Sequence, residues 1–193
     1  MLISIVYDSG YGHTAKQAHA VAAGIREIPG ADAKLIAVES AVPWETLEES
    51  DAIIFGSPTY NGLLSARFKQ FFEDSTKKAW FSQKWRNKIA AGFTNSGAHS
   101  GDKLNTLVSI ALFAAQHGMI WVGLDLMPGN SSSEGKASDL NRLGSWLGAM
   151  AQSNSDEGPD VVPPESDLKT AAYLGARVAR ITSQFVSAAP AEV

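Results

Sequence analysis

Five short apolar runs, each leading through a loop into a stretch of helical periodicity or a capped segment, leave this chain few folds to choose among. The runs are "LISIV" at 2–6, "AKLIAV" at 33–38, "DAIIFGS" at 51–57, "KIAAGFT" at 88–94 and "MIWVGL" at 119–124. Strands that alternate with helices pair in parallel through right-handed crossovers, so the expected architecture is a three-layer α/β sandwich with helices on both faces of a parallel sheet. The unbroken apolar centre of the third run agrees, because a parallel strand is buried on both faces.

Helical periodicity supplies the intervening elements. Ala15, Ala18, Val21, Ala22 and Ile25 recur at three- and four-residue spacing after the first run, and the acidic "PWETLEES" is short enough for one or two turns. Ser65 is placed to cap a helix that carries Phe68, Phe71 and Phe72 inward. Leu104, Leu107, Val108, Ala111, Leu112 and Ala115 form a further stripe that Gly118 ends. Residues 125–165, rich in Gly, Ser, Asn, Asp and Pro, read as a long insertion with one short helix around 139–151. Leu168, Ala171, Ala172, Gly175, Val178, Ala179, Thr182 and Phe185 then mark a closing helix, after which residues 187–193 are expected to fray.

A length of 193 residues fits one domain spanning 1–193. No apolar run approaches the roughly 18 residues of a spanning helix, and the first residues lack a signal peptide's basic and apolar regions, so no membrane role and a cytoplasmic location are expected. A chain without cysteine has no thiolate nucleophile, disulfide or iron–sulfur cluster, so any redox chemistry needs a bound cofactor. A formal charge of −4, with "KKAWFSQKWRNK" at 77–88 as the only basic cluster, argues against nucleic acid as a partner. The histidines at 13, 19, 99 and 117 lack metal-ligand spacing with nearby carboxylates, so no metal is expected. Of the five tryptophans, Trp121 is assigned to the core, while Trp80, Trp85 and Trp146 are left either to a pocket, to a subunit interface or to packing under loops.

Ligands of such folds bind at the carboxyl ends of the strands. Three loops there are unlike ordinary connections. "SGYGHT" at 9–14 joins two glycines to the Ser9 and Thr14 hydroxyls at a helix N-terminus, which makes an anion site. It has neither the lysine of a P-loop nor dinucleotide spacing, so it suits a single terminal phosphate. "SPTYNG" at 57–62 sets Pro58 before Thr59, Tyr60, Asn61 and Gly62, and could border a planar heterocycle. "NSGAHSGD" at 95–102 lets its backbone approach a ligand closely.

With these residues in view, "SGYGHT", "IIFGSPTYNG", "NSGAHSGD" and "AAQHGM" together resemble the WrbA-type NAD(P)H:quinone oxidoreductases, flavodoxin-like proteins that bind FMN. The resemblance runs over most of the chain, through "ESDLKTAAYLGARVA", and implies a five-stranded parallel sheet of order 2-1-3-4-5. It implies that Ser9, Gly10, Tyr11, Gly12, His13 and Thr14 hold the FMN phosphate and that Pro58, Thr59, Tyr60, Asn61 and Gly62 border the ring. Asn95, Ser96, Gly97, Ala98, His99, Ser100 and Gly101 would wrap the pyrimidine side. Tyr11 would also meet the nicotinamide nucleotide, Trp80 the substrate pocket, and His117 would lie near the flavin as a proton donor or carbonyl-polarising group. The chain differs from the family's "GGxxYGA" segment, carrying "NRLGSWLGAMAQS" at 141–153.

The implied activity is transfer of two electrons from NADH or NADPH through FMN to a quinone-like acceptor in a ping-pong cycle, by a homo-oligomer, dimer or tetramer. Two other classes stand beside it: a flavodoxin-like electron carrier between protein partners, and a non-catalytic FMN-binding regulatory module.

Overall fold

A computed structural model of the protein describes residues 1–188. The strands are β1 (Leu2–Tyr7), β2 (Asp32–Ala37), β3 (Ala52–Tyr60), β4 (Leu63–Leu64), β5 (Ile89–Ser96), β6 (Ile120–Trp121) and β7 (Ala149–Gln152). The helices are α1 (His13–Arg26), α2 (Trp44–Glu49), α3 (Ala66–Ser75), α4 (Lys103–Gln116) and α5 (Glu165–Ala188), with a π-helical turn at Thr76–Trp80 extending α3. The parallel sheet runs β2-β1-β3-β5-β6. Its five members are the five apolar runs, in the order the resemblance implies, and β4 adds a short antiparallel pair to the end of β3.

Two apolar layers hold the sheet. Ile3, Ile5, Ile54, Ala91 and Phe93 point to the face covered by α1 and α5, where Val21, Ile25, Leu174 and Val178 meet them. Val6, Ile53, Phe55 and Ala90 point to the other, where Leu47, Phe68, Phe71 and Phe113 pack. Helices α1 and α5 touch closely because both lack a side chain at the crossing. A Cβ on Gly24 would run into the Ala172 carbonyl, and one on Gly175 into the Val21 carbonyl. The Ser65 cap forms, with its Oγ accepting from the Phe68 N–H at 3.2 Å.

Four expectations change. The fifth run keeps only two strand residues, and the second half of β5 pairs instead with β7, so one edge of β5 is shared by two strands. Residues 149–152 are therefore strand where a short helix around 139–151 is expected, because the edge of Phe93–Ser96 offers unpaired backbone groups that a four-residue segment satisfies. On α4 the buried face is Lys103, Thr106, Leu107, Ile110, Phe113 and Ala114, while Leu104, Val108 and Leu112 are exposed. Apolar residues surround this helix, so periodicity alone does not choose the inward face. Trp85 is core, stacked on Trp44 and Phe71, whereas Trp121 is half-buried with its indole N–H on the Leu147 carbonyl at 3.0 Å. The expected fraying at 187–193 falls mainly on residues outside those described; Ser187 and Ala188 are helical.

Candidate functional site

The first loop leaves β1 at Tyr7 and enters α1 at His13. Gly12 occupies the N-cap with φ 87°, a left-handed conformation that costs glycine little. The Ser9 Oγ accepts from the Ala15 N–H at 3.0 Å, which curls the loop back over the helix start. Among the described residues the N–H groups of Tyr11, Gly12, His13 and Thr14 have no hydrogen-bond partner. Unpaired amides at the first turn of a 14-residue helix, with the helix dipole behind them, favour an anion.

Loops two and three close on this cradle. Together they bound a cavity of about 370 Å³ lined by Ser9, Tyr11, His13, Thr14, Pro58, Thr59, Tyr60, Asn95, Ser96, Gly97, Ser153 and Ser155. Thr59 is fixed below by its hydroxyl, which bonds the Thr94 and Thr106 hydroxyls, each at 2.8 Å. Tyr60 is 39% exposed and meets the Tyr11 ring edge-on at 6.3 Å. Burial, then the charge of Asp8, pushes the Tyr60 phenol up, so it is a neutral hydroxyl. Gly10 leaves room for that hydroxyl, since a Cβ there would stand 2.7 Å from it.

Most of the expected binding residues are thereby brought together. Gly10 and Gly12 contribute backbone, and Asn61 and Gly62, with φ 50° and 81°, form the turn between β3 and β4. Ala98, His99 and Ser100 are exposed and line no part of this cavity; with Gly101 they form the outer arc of the third loop. Three features escaped sequence reasoning. Ser153 and Ser155 line the cavity because the segment after β7 is a fourth ligand-side loop, invisible while β7 itself was unrecognised. That segment grips the first loop: the His13 ring bonds the Glu157 carbonyl at 2.9 Å, and Pro159 packs on Gly12. Lys103, at the start of α4, is 1% exposed and donates into the third loop. Its signal was a lysine on an apolar stripe.

His117 and Trp80 lie elsewhere. His117 caps the far end of α4, 2% exposed, between the Trp85 and Phe113 rings at 4.5 and 4.6 Å. Fourteen helical residues separate it from the third loop, about 20 Å at 1.5 Å per residue. The Ser75 Oγ spends its proton on the Phe72 carbonyl at 2.7 Å, so it accepts from His117 Nε2 at 3.0 Å. The unprotonated nitrogen is then Nδ1, buried without a partner. Burial pushes this imidazole down to about 4. Within this chain His117 is a neutral core group rather than a proton donor beside the first cavity. Trp80, its indole N–H on the Gln116 carbonyl at 2.9 Å, shares with His117 a second cavity of about 760 Å³ that reaches Tyr60 and Asn61 from the other side.

The first cavity fits FMN. Its volume lies in the range of small-ligand sites. Its donor set is unpaired amides and hydroxyls at the helix end for a phosphate, hydroxyls of Ser153 and Ser155 for a polyol, and flat aromatic faces beside Pro58 for a ring. The Gly97 N–H, also without a partner among the described residues, and the Asn95 side chain suit the polar edge of a pyrimidine.

Comparison with known proteins agrees with this geometry. Residues 39–130 match the family model described as NADPH-dependent FMN reductase. The chain is 42% identical over 185 residues to flavodoxin FldP of Pseudomonas aeruginosa, covering 93% of this chain and 96% of that one. It is 34% identical over 206 residues to an NAD(P)H dehydrogenase (quinone) of Archaeoglobus fulgidus, covering 94% and 97%. Among solved structures, a flavodoxin, WrbA-like protein from Agrobacterium tumefaciens superposes with a TM-score of 0.72 at 39% identity, covering 95% of this chain and 98% of that one.

Proposed function

Because this chain belongs to the flavodoxin-like family that contains the NADPH-dependent FMN reductases and the WrbA-like quinone dehydrogenases, we propose that it is an FMN-dependent oxidoreductase carrying two electrons from NAD(P)H to a quinone or similar small acceptor. Bound FMN would supply the two-electron exchange itself. The chain's residues supply position and access. Ser9 to Thr14 hold the phosphate through amides and hydroxyls, Thr59 and Tyr60 border the ring, and Asn95 to Gly97 meet its polar edge.

One observation carries the reading over that of a protein-to-protein electron carrier. The two tyrosines that line the first cavity, Tyr11 and Tyr60, pack edge-on against each other, while the third and fourth loops line it with Asn95, Ser96, Gly97, Ser153 and Ser155, none of them aromatic. A ring held there keeps a face open to a nucleotide or a small acceptor. The second cavity, lined by Leu63, Leu64, Phe72, Trp80 and Leu112 and adjoining Tyr60, is apolar enough for a quinone. Leu104, Val108 and Leu112 form an exposed ridge at its margin that supports assembly into a homo-oligomer. Use of nicotinamide nucleotides goes with a cytoplasmic location; among the described residues no helix is long and apolar enough to cross a membrane.

Steady-state oxidation of NADH and NADPH with benzoquinone and FMN tests the activity. Turnover well above that of free FMN is expected, with one nucleotide preferred. Reduction by neither nucleotide, combined with tight FMN binding, would instead favour the carrier, which the 42% identity to a protein named flavodoxin keeps in view. Light scattering with and without FMN reads the oligomer.

A further inference from the structure

Lys103 is a fully buried lysine whose ammonium spends every proton on the third loop. It donates to the Ser96 Oγ at 2.9 Å, the Ala98 carbonyl at 2.9 Å and the His99 carbonyl at 2.8 Å. The preceding carbonyl, Gly97, accepts from the Gln152 Nε2 at 2.8 Å. Gln152 is itself anchored through its backbone N–H to Asp167, which Arg142 holds with two hydrogen bonds of 2.7 and 2.8 Å. Three successive carbonyls of the loop are thus turned toward buried donors, and the amides of the same residues are left without partners among those described. Charge follows the same pattern. Arg142 and Asp167 neutralise each other, while Lys103 has no carboxylate within ion-pair distance among the described residues. One net positive charge therefore lies behind the cavity wall, separated from it by the Ser96 side chain.

We propose that Lys103 is a positioning residue of the flavin pocket, which holds the Ser96–Gly97 wall of the third loop in place and biases the site toward the reduced cofactor. The inference rests on the FMN reading above. Taking up two electrons and one proton from NAD(P)H leaves the ring one charge more negative, and a fixed buried cation favours that state because low-dielectric surroundings screen it weakly. The bias suits a pocket reduced by a nicotinamide nucleotide. A one-electron carrier working at low potential gains nothing from it.

The test compares affinities for oxidised and reduced FMN, and the two-electron midpoint potential, in wild type, Lys103→Met, Lys103→Gln and Lys103→Arg. Gln keeps hydrogen-bond donors for the loop without the charge, and Arg keeps the charge. Both neutral variants are expected to lose about tenfold more affinity for reduced than for oxidised FMN, which lowers the midpoint by about 30 mV, a tenfold ratio in a two-electron couple. Lys103→Arg restores the midpoint. Equal loss for both cofactor forms, or an unchanged midpoint in both neutral variants, overturns the proposal and leaves Lys103 a loop anchor. Failure of the wild-type protein to bind FMN at all overturns the cofactor reading instead.

Discussion

Acidification should weaken this fold through a single side chain, His117. Its Nδ1 has no partner, and its Nε2 proton is held by Ser75, so a second proton would be buried between Trp85 and Phe113 with no acceptor. The folded imidazole titrates near 4 against 6.5 when exposed, the depressed direction that burial dictates. Stability from this group is complete above about pH 6.5 and is lost as the pH falls toward 4. The whole difference is about 3 kcal/mol, of which about 2 kcal/mol is gone by about pH 5. With an m-value of about 2 kcal/mol/M, the urea midpoint should fall by about 1 M between about pH 8 and about pH 5. His117→Gln retains a donor for Ser75 and does not titrate. Urea melts of both proteins across that range should give a midpoint that slopes in wild type and is flatter in the variant by that amount. Parallel slopes would refute the argument and mean that the imidazole is reached by water or changes partner when protonated.

Other perturbations follow from the packing. Gly24→Ala or Gly175→Ala would push α1 and α5 apart and should cost about 1–3 kcal/mol, read as lost urea midpoint with flavin affinity retained. Arg142→Ala strips Asp167 of its bidentate partner and should destabilise by about 3–5 kcal/mol, the cost of an orphaned buried carboxylate. Ser65→Ala removes the α3 cap and should cost about 1 kcal/mol without altering cofactor affinity. Tyr11, 76% exposed at the cavity rim, should on replacement by Ala raise KM for NAD(P)H more than it weakens FMN binding, and equal effects would return it to a structural role.

The shape of the first loop was legible because its chemistry is local. Glycine at 12 for a positive φ, a serine that folds back on the helix and the helix end itself are neighbours in sequence, and no distant contact is needed to aim their amides. The second and third loops were legible in place but not in extent, since Ser96 and Gly97 line the cavity while Ala98 to Ser100 do not. The fourth loop was hidden with the strand before it. The four residues Ala149–Gln152 are too few to show a period, and they are strand only because the edge of β5 is free to receive them.

By itself the sequence determined the parallel α/β sheet, its two apolar layers, the anion cradle after β1 and the family, because apolar period and short-range turn chemistry are properties of neighbouring residues. Tertiary structure alone decided which face of α4 is buried, since an all-round apolar helix is oriented by its partners. It decided that His117 is a silent core imidazole far from the cradle, because fourteen residues of helix carry it to the opposite end of the sheet. It also decided that Lys103 is a buried cation behind the pocket wall, because only the folded third loop assembles the three acceptors that make its burial tolerable.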